Sequence, residues 1–166
     1  MWSEIIREFA DSPSQSRVVK FLLENGFGVN AEGRITCNGI EIPATQVAKA
    51  LDTDRRVVDA TAQRILSMPL HRDIFTFMRA APDLTRVAEH LGLSVMTILP
   101  RDAREKGIVS AAVRLIAEEG LSIRQIFVTD PLLSEEPRLV VIIEGEFPPT
   151  IIEGIRRLPQ VRQVTF

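Results

Sequence analysis

Apolar residues recur at helical spacing through most of the first 81 positions. The stretch 13–26 starts with Pro13 after Ser12 and ends at Gly26, which favours a helix with defined ends. Its apolar stripe consists of Val18, Val19, Leu22 and Leu23. The same spacing predicts helices over 3–10, 44–52, 54–68 and 70–81. Between them, 33–43 alternates around Asn38-Gly39, a strong signal for a β-hairpin.

The pattern changes after Pro82, where strand-like runs begin to alternate with helical ones. Strands are predicted over 94–100, 122–130, 138–145 and 161–166, and helices over 105–120 and 148–159. The order β-α-β-β-α-β indicates a ferredoxin-like sandwich, with both helices on one face of an antiparallel sheet. We therefore predict an α+β protein. It has a mostly helical domain with a small β-hairpin at 1–81, a linker helix at 82–93 and a ferredoxin-like domain at 94–166.

Composition narrows the class of protein without identifying its function. Of 166 residues, 45% are hydrophobic and 25% are charged, and the net charge is −2, so any nucleic-acid contact requires a local basic patch. Cys37 is the only cysteine, which excludes a disulfide framework within one chain. The N-terminus has no signal-peptide pattern and no apolar run reaches about 18 residues, so we expect a soluble, cytoplasmic protein without membrane contact.

The segment 45–65 has the spacing of a helix-turn-helix. A turn at Asp52-Thr53 separates two helices whose apolar residues face inward, and Asp54 can cap the second helix. Residues near the start of that helix would contact DNA in a protein of this kind. The candidates for DNA contact are Thr53, Arg55, Arg56 and Gln63. Arg64 adds a further positive charge to the helix.

A helical hairpin without nucleic acid fits the same segment. Asp52 occupies a turn position where glycine is common, and Asp59 puts a negative charge on the face that would meet DNA. The first half of the chain is also close to neutral. The sequence leaves DNA and another protein open as partners of this domain.

A loop and a glycine precede the helix at 105–120. Gly107 lets the backbone approach a ligand closely, and the first N–H groups of a helix attract a carboxylate. Together with the helix and the following "LSIRQIFV", this region resembles an ACT domain, a regulatory module that typically binds amino acids. The resemblance implies ligand contacts from Asp102, Gly107, Ile108 and Ser122. Three extra residues, "REK", lengthen the loop relative to the family pattern.

The whole chain resembles the archaeal family of predicted regulators of amino acid metabolism that contain an ACT domain. The resemblance implies a homodimer that binds a small amino acid at the subunit junction and regulates transcription. The alternative is an interaction protein that regulates a biosynthetic enzyme without DNA. We predict no enzymatic activity, cofactor or metal, because common catalytic motifs are missing and the two histidines, His71 and His90, are expected at surface or interdomain positions.

Overall fold

Helices combine with two antiparallel sheets in an α+β arrangement. A computed structural model describes residues 2–131, 134 and 136–166, and the chain divides into Met1–Pro82 and Asp83–Phe166. Within the described residues, no helix is long and apolar enough to cross a membrane. Each unit has its own buried apolar core.

The first unit combines five helices with a small antiparallel sheet. Its helices are α1 (Trp2–Arg7), α2 (Pro13–Asn25), α3 (Ala44–Ala50), α4 (Arg55–Ser67) and α5 (Pro69–Phe77). Its strands are β1 (Gly28–Val29), β2 (Ile35–Cys37) and β3 (Ile40–Glu41), in the order β1-β2-β3. The hairpin at Asn38-Gly39 is confirmed, since both residues adopt the positive φ that a tight two-residue turn requires.

The predicted helix over 70–81 ends earlier, at Phe77, because its last residues are held in another way. The Asn38 side chain donates to the carbonyl of Ala80 (3.1 Å) and accepts from its N–H (3.0 Å). A Cβ at Gly26 would lie 2.8 Å from the Ala80 Cα, so only glycine leaves room for this backbone. Long-range contacts therefore extend the chain from Met78 onward.

The histidine of α5 was expected at a surface or interdomain position, and this expectation is wrong. His71 is buried, and its ring meets Phe9 edge-on with 6.4 Å between ring centroids. The apolar stripe of α5 places His71 and Phe75 on the same inward face, since they are four residues apart.

The second unit is a four-stranded antiparallel sheet with two helices. In chain order it contains β4 (Leu93–Pro100), α6 (Ile108–Glu118), β5 (Ile123–Val128), β6 (Leu139–Glu144), α7 (Pro149–Arg156) and β7 (Val161–Thr165). The strands lie in the order β5-β6-β4-β7. Both helices pack on the same apolar cluster, so they cover one face of the sheet.

The predicted linker helix over 82–93 is wrong. This segment forms turns and a short 3-10 helix, Glu89–Leu91, and β4 begins at Leu93. It packs on the second face of the sheet, where Leu84 and Ala88 contact a cluster that contains Val140 and Ile142. The turns bury Ala88 and partly bury Leu84, whereas a helix this short has little intrinsic stability.

We predict that Asn38→Ala lowers the free energy of unfolding of the first unit by about 1–2 kcal/mol, because two hydrogen bonds to Ala80 are lost. Trp2, the only tryptophan, reports on this unit in a urea titration followed by fluorescence. Asn25→Ala is the control, because it removes a single local bond from the side chain to the Phe21 carbonyl. Equal effects of the two substitutions would contradict the role assigned to Asn38.

Candidate functional site

The α3–turn–α4 segment forms a tight helical pair. Val47 and Ala48 of α3 are buried, as are Val58 and Ala62 of α4. In the turn, Thr53 donates its N–H to the carbonyl of Ala48 (3.0 Å). Asp52 has φ 48°, a left-handed conformation that aspartate tolerates better than most residues other than glycine. The turn thus forms without the glycine that is common at this position.

Both exposed arginines at the start of α4 face carboxylates of their own segment. Arg56 donates to Asp54 through its backbone N–H (2.8 Å) and through its guanidinium (3.1 and 3.2 Å). These hydrogen bonds from Arg56 lower the pKa of the Asp54 carboxyl below its ordinary value. The Nε of Arg55 lies 3.7 Å from Oδ2 of Asp59. The positive charge predicted for DNA contact is therefore partly compensated within the helix.

Arg64 is tied into the first unit instead of facing outward. Its guanidinium donates to Asp11 (2.9 Å), to Gln15 (3.0 Å) and to the carbonyl of Glu8 (2.6 Å). The same group lies 4.7 Å from the centre of the Phe9 ring, a cation–π contact. Its contribution is structural, because it holds α4 against the start of the chain.

The remaining residues predicted to contact DNA have different environments. Thr53 is half-buried in the turn, whereas Gln63 is exposed two turns further along α4. The Gln63 amide covers Gly33, where any Cβ would collide with it. The structure thus places Arg55 and Arg56 together, with Thr53 beside them and Gln63 toward the β1–β2 turn.

The loop before α6 is ordered by its own side chains. The Asp102 carboxylate accepts from the N–H of Arg104 (2.9 Å), and the Ser110 hydroxyl donates to the carbonyl of Gly107 (2.9 Å). Gly107 has φ 100°, and a Cβ there would meet nothing within 4 Å. Ile108 packs against the apolar cluster between the sheet and the helices α6 and α7. Gly107 therefore faces open space within one chain.

Ser122 lies at the opposite end of α6 from Gly107. The helix has 11 residues, which corresponds to about 16 Å along its axis. The Ser122 carbonyl accepts from the N–H of Glu144 (3.0 Å), at the start of β5. One small ligand cannot touch both positions of a single copy.

A polar recess of about 250 Å³ lies beside the loop that contains Asp102. It is lined by Pro100, Arg101, Ala103, Glu136, Pro137 and Arg162. Arg162 lies 3.9 Å from Glu136 (Nη2 to Oε1), and both are exposed. Among the described residues, the Arg101 guanidinium has no hydrogen-bond or ion-pair partner.

The arginines of this recess could not be selected from the sequence. Arg101 directly follows β4, and Arg162 is the second residue of β7. Both line the recess because β4 and β7 are antiparallel neighbours, although the two strands lie some 60 residues apart in the sequence. The only available signal was a basic residue at each strand end, which is common on protein surfaces.

Comparisons with known proteins leave the chain unassigned to a family: no family model and no curated protein matches it. Within the described part of the chain, no group of three or more His, Cys, Asp or Glu side chains could hold a metal ion.

Proposed function

We propose that the protein is an amino-acid-responsive regulator, in which the second unit is an ACT-like, ferredoxin-like sensor and the first a helix-turn-helix-like partner-binding domain. The strand order β5-β6-β4-β7, with both crossover helices on one face, supports the sensor. The recess beside the Asp102 loop carries the proposal. Its two guanidinium groups and one carboxylate complement a zwitterion.

In this proposal, Arg101 and Arg162 bind the α-carboxylate of an amino acid and Glu136 binds its ammonium group. Arginine suits this role because its planar fork matches a carboxylate. Asp102 shapes the loop that forms one wall, through its bond to Arg104. Gly107, Ile108 and Ser122 do not line this recess, so they contribute contacts only at a site shared by two copies.

The edge strand β5 provides the proposed dimer contact. Ile126 and Val128 are 36% and 55% exposed on the helix side of the sheet. The N–H of Thr129 donates to the carbonyl of Arg138, on the side of β5 that faces β6. Backbone groups of successive strand residues alternate in direction, so those of Ile126 and Val128 point to the open edge of the sheet. A two-fold axis at Phe127 would place Ile126 opposite Val128 of the other copy, which covers both apolar side chains.

DNA is the proposed partner of the first unit, through Arg55 and Arg56. Exposed ion pairs contribute little to stability, so both arginines can exchange their carboxylates for phosphates at small cost. Amino-acid binding would act by favouring one arrangement of the dimer, and hence one spacing of two DNA half-sites.

A protein partner is the second candidate, and exposed apolar side chains favour it. Ile40, Leu70 and Phe77 of the first unit are each about 70% exposed. The three aspartates between positions 52 and 59 also outnumber the two arginines there, which weakens attraction to phosphate.

We predict that one or more of the twenty amino acids raises the melting temperature of the protein by several degrees at a concentration well above its Kd. Arg101→Ala and Arg162→Ala should each abolish this shift, because the carboxylate loses its partner. Arg114→Ala is the control, since it removes an exposed arginine on α6. An unchanged melting temperature with every amino acid would refute the sensor role.

We predict that the double substitution Ile126→Lys and Val128→Lys converts a dimer, of twice 18.5 kDa, into a monomer in sedimentation experiments, because each introduced lysine would lie opposite a lysine of the other copy. Phe166→Lys is the control, since Phe166 is an exposed apolar residue at the β7 edge. A dimer that resists the β5 substitutions but dissociates with Phe166→Lys would place the interface at the other edge.

We predict that Arg55→Ala and Arg56→Ala weaken binding to DNA from the region upstream of the protein's own gene, and that Asp59→Asn strengthens it several-fold. The first two remove phosphate partners and the third removes a repelling charge. Gel shifts at two salt concentrations measure this, and the double arginine variant should lower the salt slope by about 2. Arg114→Ala is the control for loss of an exposed arginine. If the unsubstituted protein shifts no DNA at low salt, the protein partner is favoured.

A further inference from the structure

A second recess, of about 320 Å³, lies in the first unit between the β2–β3 hairpin and α4. Its floor is apolar, formed by the buried side chains of Ile35, Val58 and Ala62. Small residues leave the space open, since Ala44 and Ala62 have no side-chain atom beyond Cβ. The volume is at the lower end of the range of small-molecule sites, about 300–1,000 Å³.

Three charged residues line the same recess. These are Arg34, Glu41 and Asp59. Within the described part of the chain, the Arg34 guanidinium has no polar partner, although its backbone N–H donates to Asn30 (2.8 Å). The recess therefore combines one unpaired cation with two carboxylates.

Asn30 orders two of these groups. Its side-chain amide donates to Oε1 of Glu41 (3.2 Å), while its oxygen accepts from the backbone N–H of Glu32 and of Arg34. One side chain thus fixes the turn that carries Arg34 and orients the carboxylate opposite. Such support reduces the entropy that ligand binding would otherwise cost at this rim.

Asp59 is the less firmly held carboxylate. Its Oδ2 lies 3.7 Å from the Nε of Arg55, and both side chains are more than half exposed. Such an exposed ion pair contributes little to stability, so Asp59 can release Arg55 and pair with a ligand cation instead.

We propose that this recess binds a basic α-amino acid. The α-carboxylate pairs with Arg34, the two cationic groups pair with Glu41 and Asp59, and the aliphatic stem lies on Ile35, Val58 and Ala62. Two carboxylates and one guanidinium complement the two positive charges and one negative charge of such a ligand. A long aliphatic stem with a cationic tip fits an apolar floor with a charged rim. The proposal does not depend on the sensor role of the second unit.

Amide chemical shifts of the full chain, titrated with L-lysine, test the proposal. Saturable shifts are expected at 33–35, 41, 42, 44 and 58–62. L-Norleucine, which lacks the terminal ammonium, should bind at least ten-fold more weakly, and so should cadaverine, which lacks the carboxylate. Glu41→Gln and Arg34→Ala should weaken lysine binding to a similar extent.

Two variants separate this site from the recess of the second unit. Arg101→Ala should leave lysine binding at the first unit unchanged, whereas Glu41→Gln should leave any amino-acid response of the second unit unchanged. Equal affinity for lysine and norleucine, or lysine shifts confined to residues beyond 82, would overturn the proposal without affecting the sensor role. If amino acids produce no response in the second unit but lysine still shifts the amides of 58–62, the sensor role is refuted and the first-unit site stands.

Discussion

Burial of β6 on both faces is the constraint on which the second unit depends. Leu139 through Ile143 are all buried, a continuous apolar run that a sheet with one solvent face could not accommodate. The helices α6 and α7 cover one face, and the turns at 84–91 cover the other. The strand ends and the edges of the sheet therefore remain as the surfaces where a ligand or a second copy can bind.

The position of the recess beside the Asp102 loop follows from the strand order of the sheet. Since β4 is the inner neighbour of β7, the chain leaving β4 and the chain entering β7 meet at one end of the sheet. Arg101 and Arg162 are brought there by strand pairing, whereas Gly107 and Ser122 are separated by the whole length of α6. One ligand that contacts both Gly107 and Ser122 therefore requires two copies, whereas the recess with Arg101 and Arg162 lies within one copy.

Local patterns predicted those elements whose determinants are close in sequence. Asn38-Gly39 specified a hairpin, and the strand-helix alternation after residue 92 specified the elements of the sheet in their order. The errors have long-range causes. The chain is extended at 78–80 because Asn38 and Gly26 hold it there, and 83–92 follows a sheet face that periodicity cannot reveal. The contacts of Arg64 cannot be read from local spacing, because its partners Asp11 and Gln15 lie about 50 residues earlier.

The two recesses also show why net charge is a weak guide to ligands. The chain carries −2 overall, yet the recess beside the Asp102 loop has two arginines and one glutamate, while that beside α4 has one arginine and two carboxylates. Opposite local imbalances cancel in the total. In the two proposals, the first excess binds the carboxylate of a ligand and the second binds its cationic groups, so the two recesses would take different classes of amino acid. The same Asp59 that would bind a cation also compensates Arg55, so occupancy of the α4 recess would change the charge that the start of α4 presents to a partner.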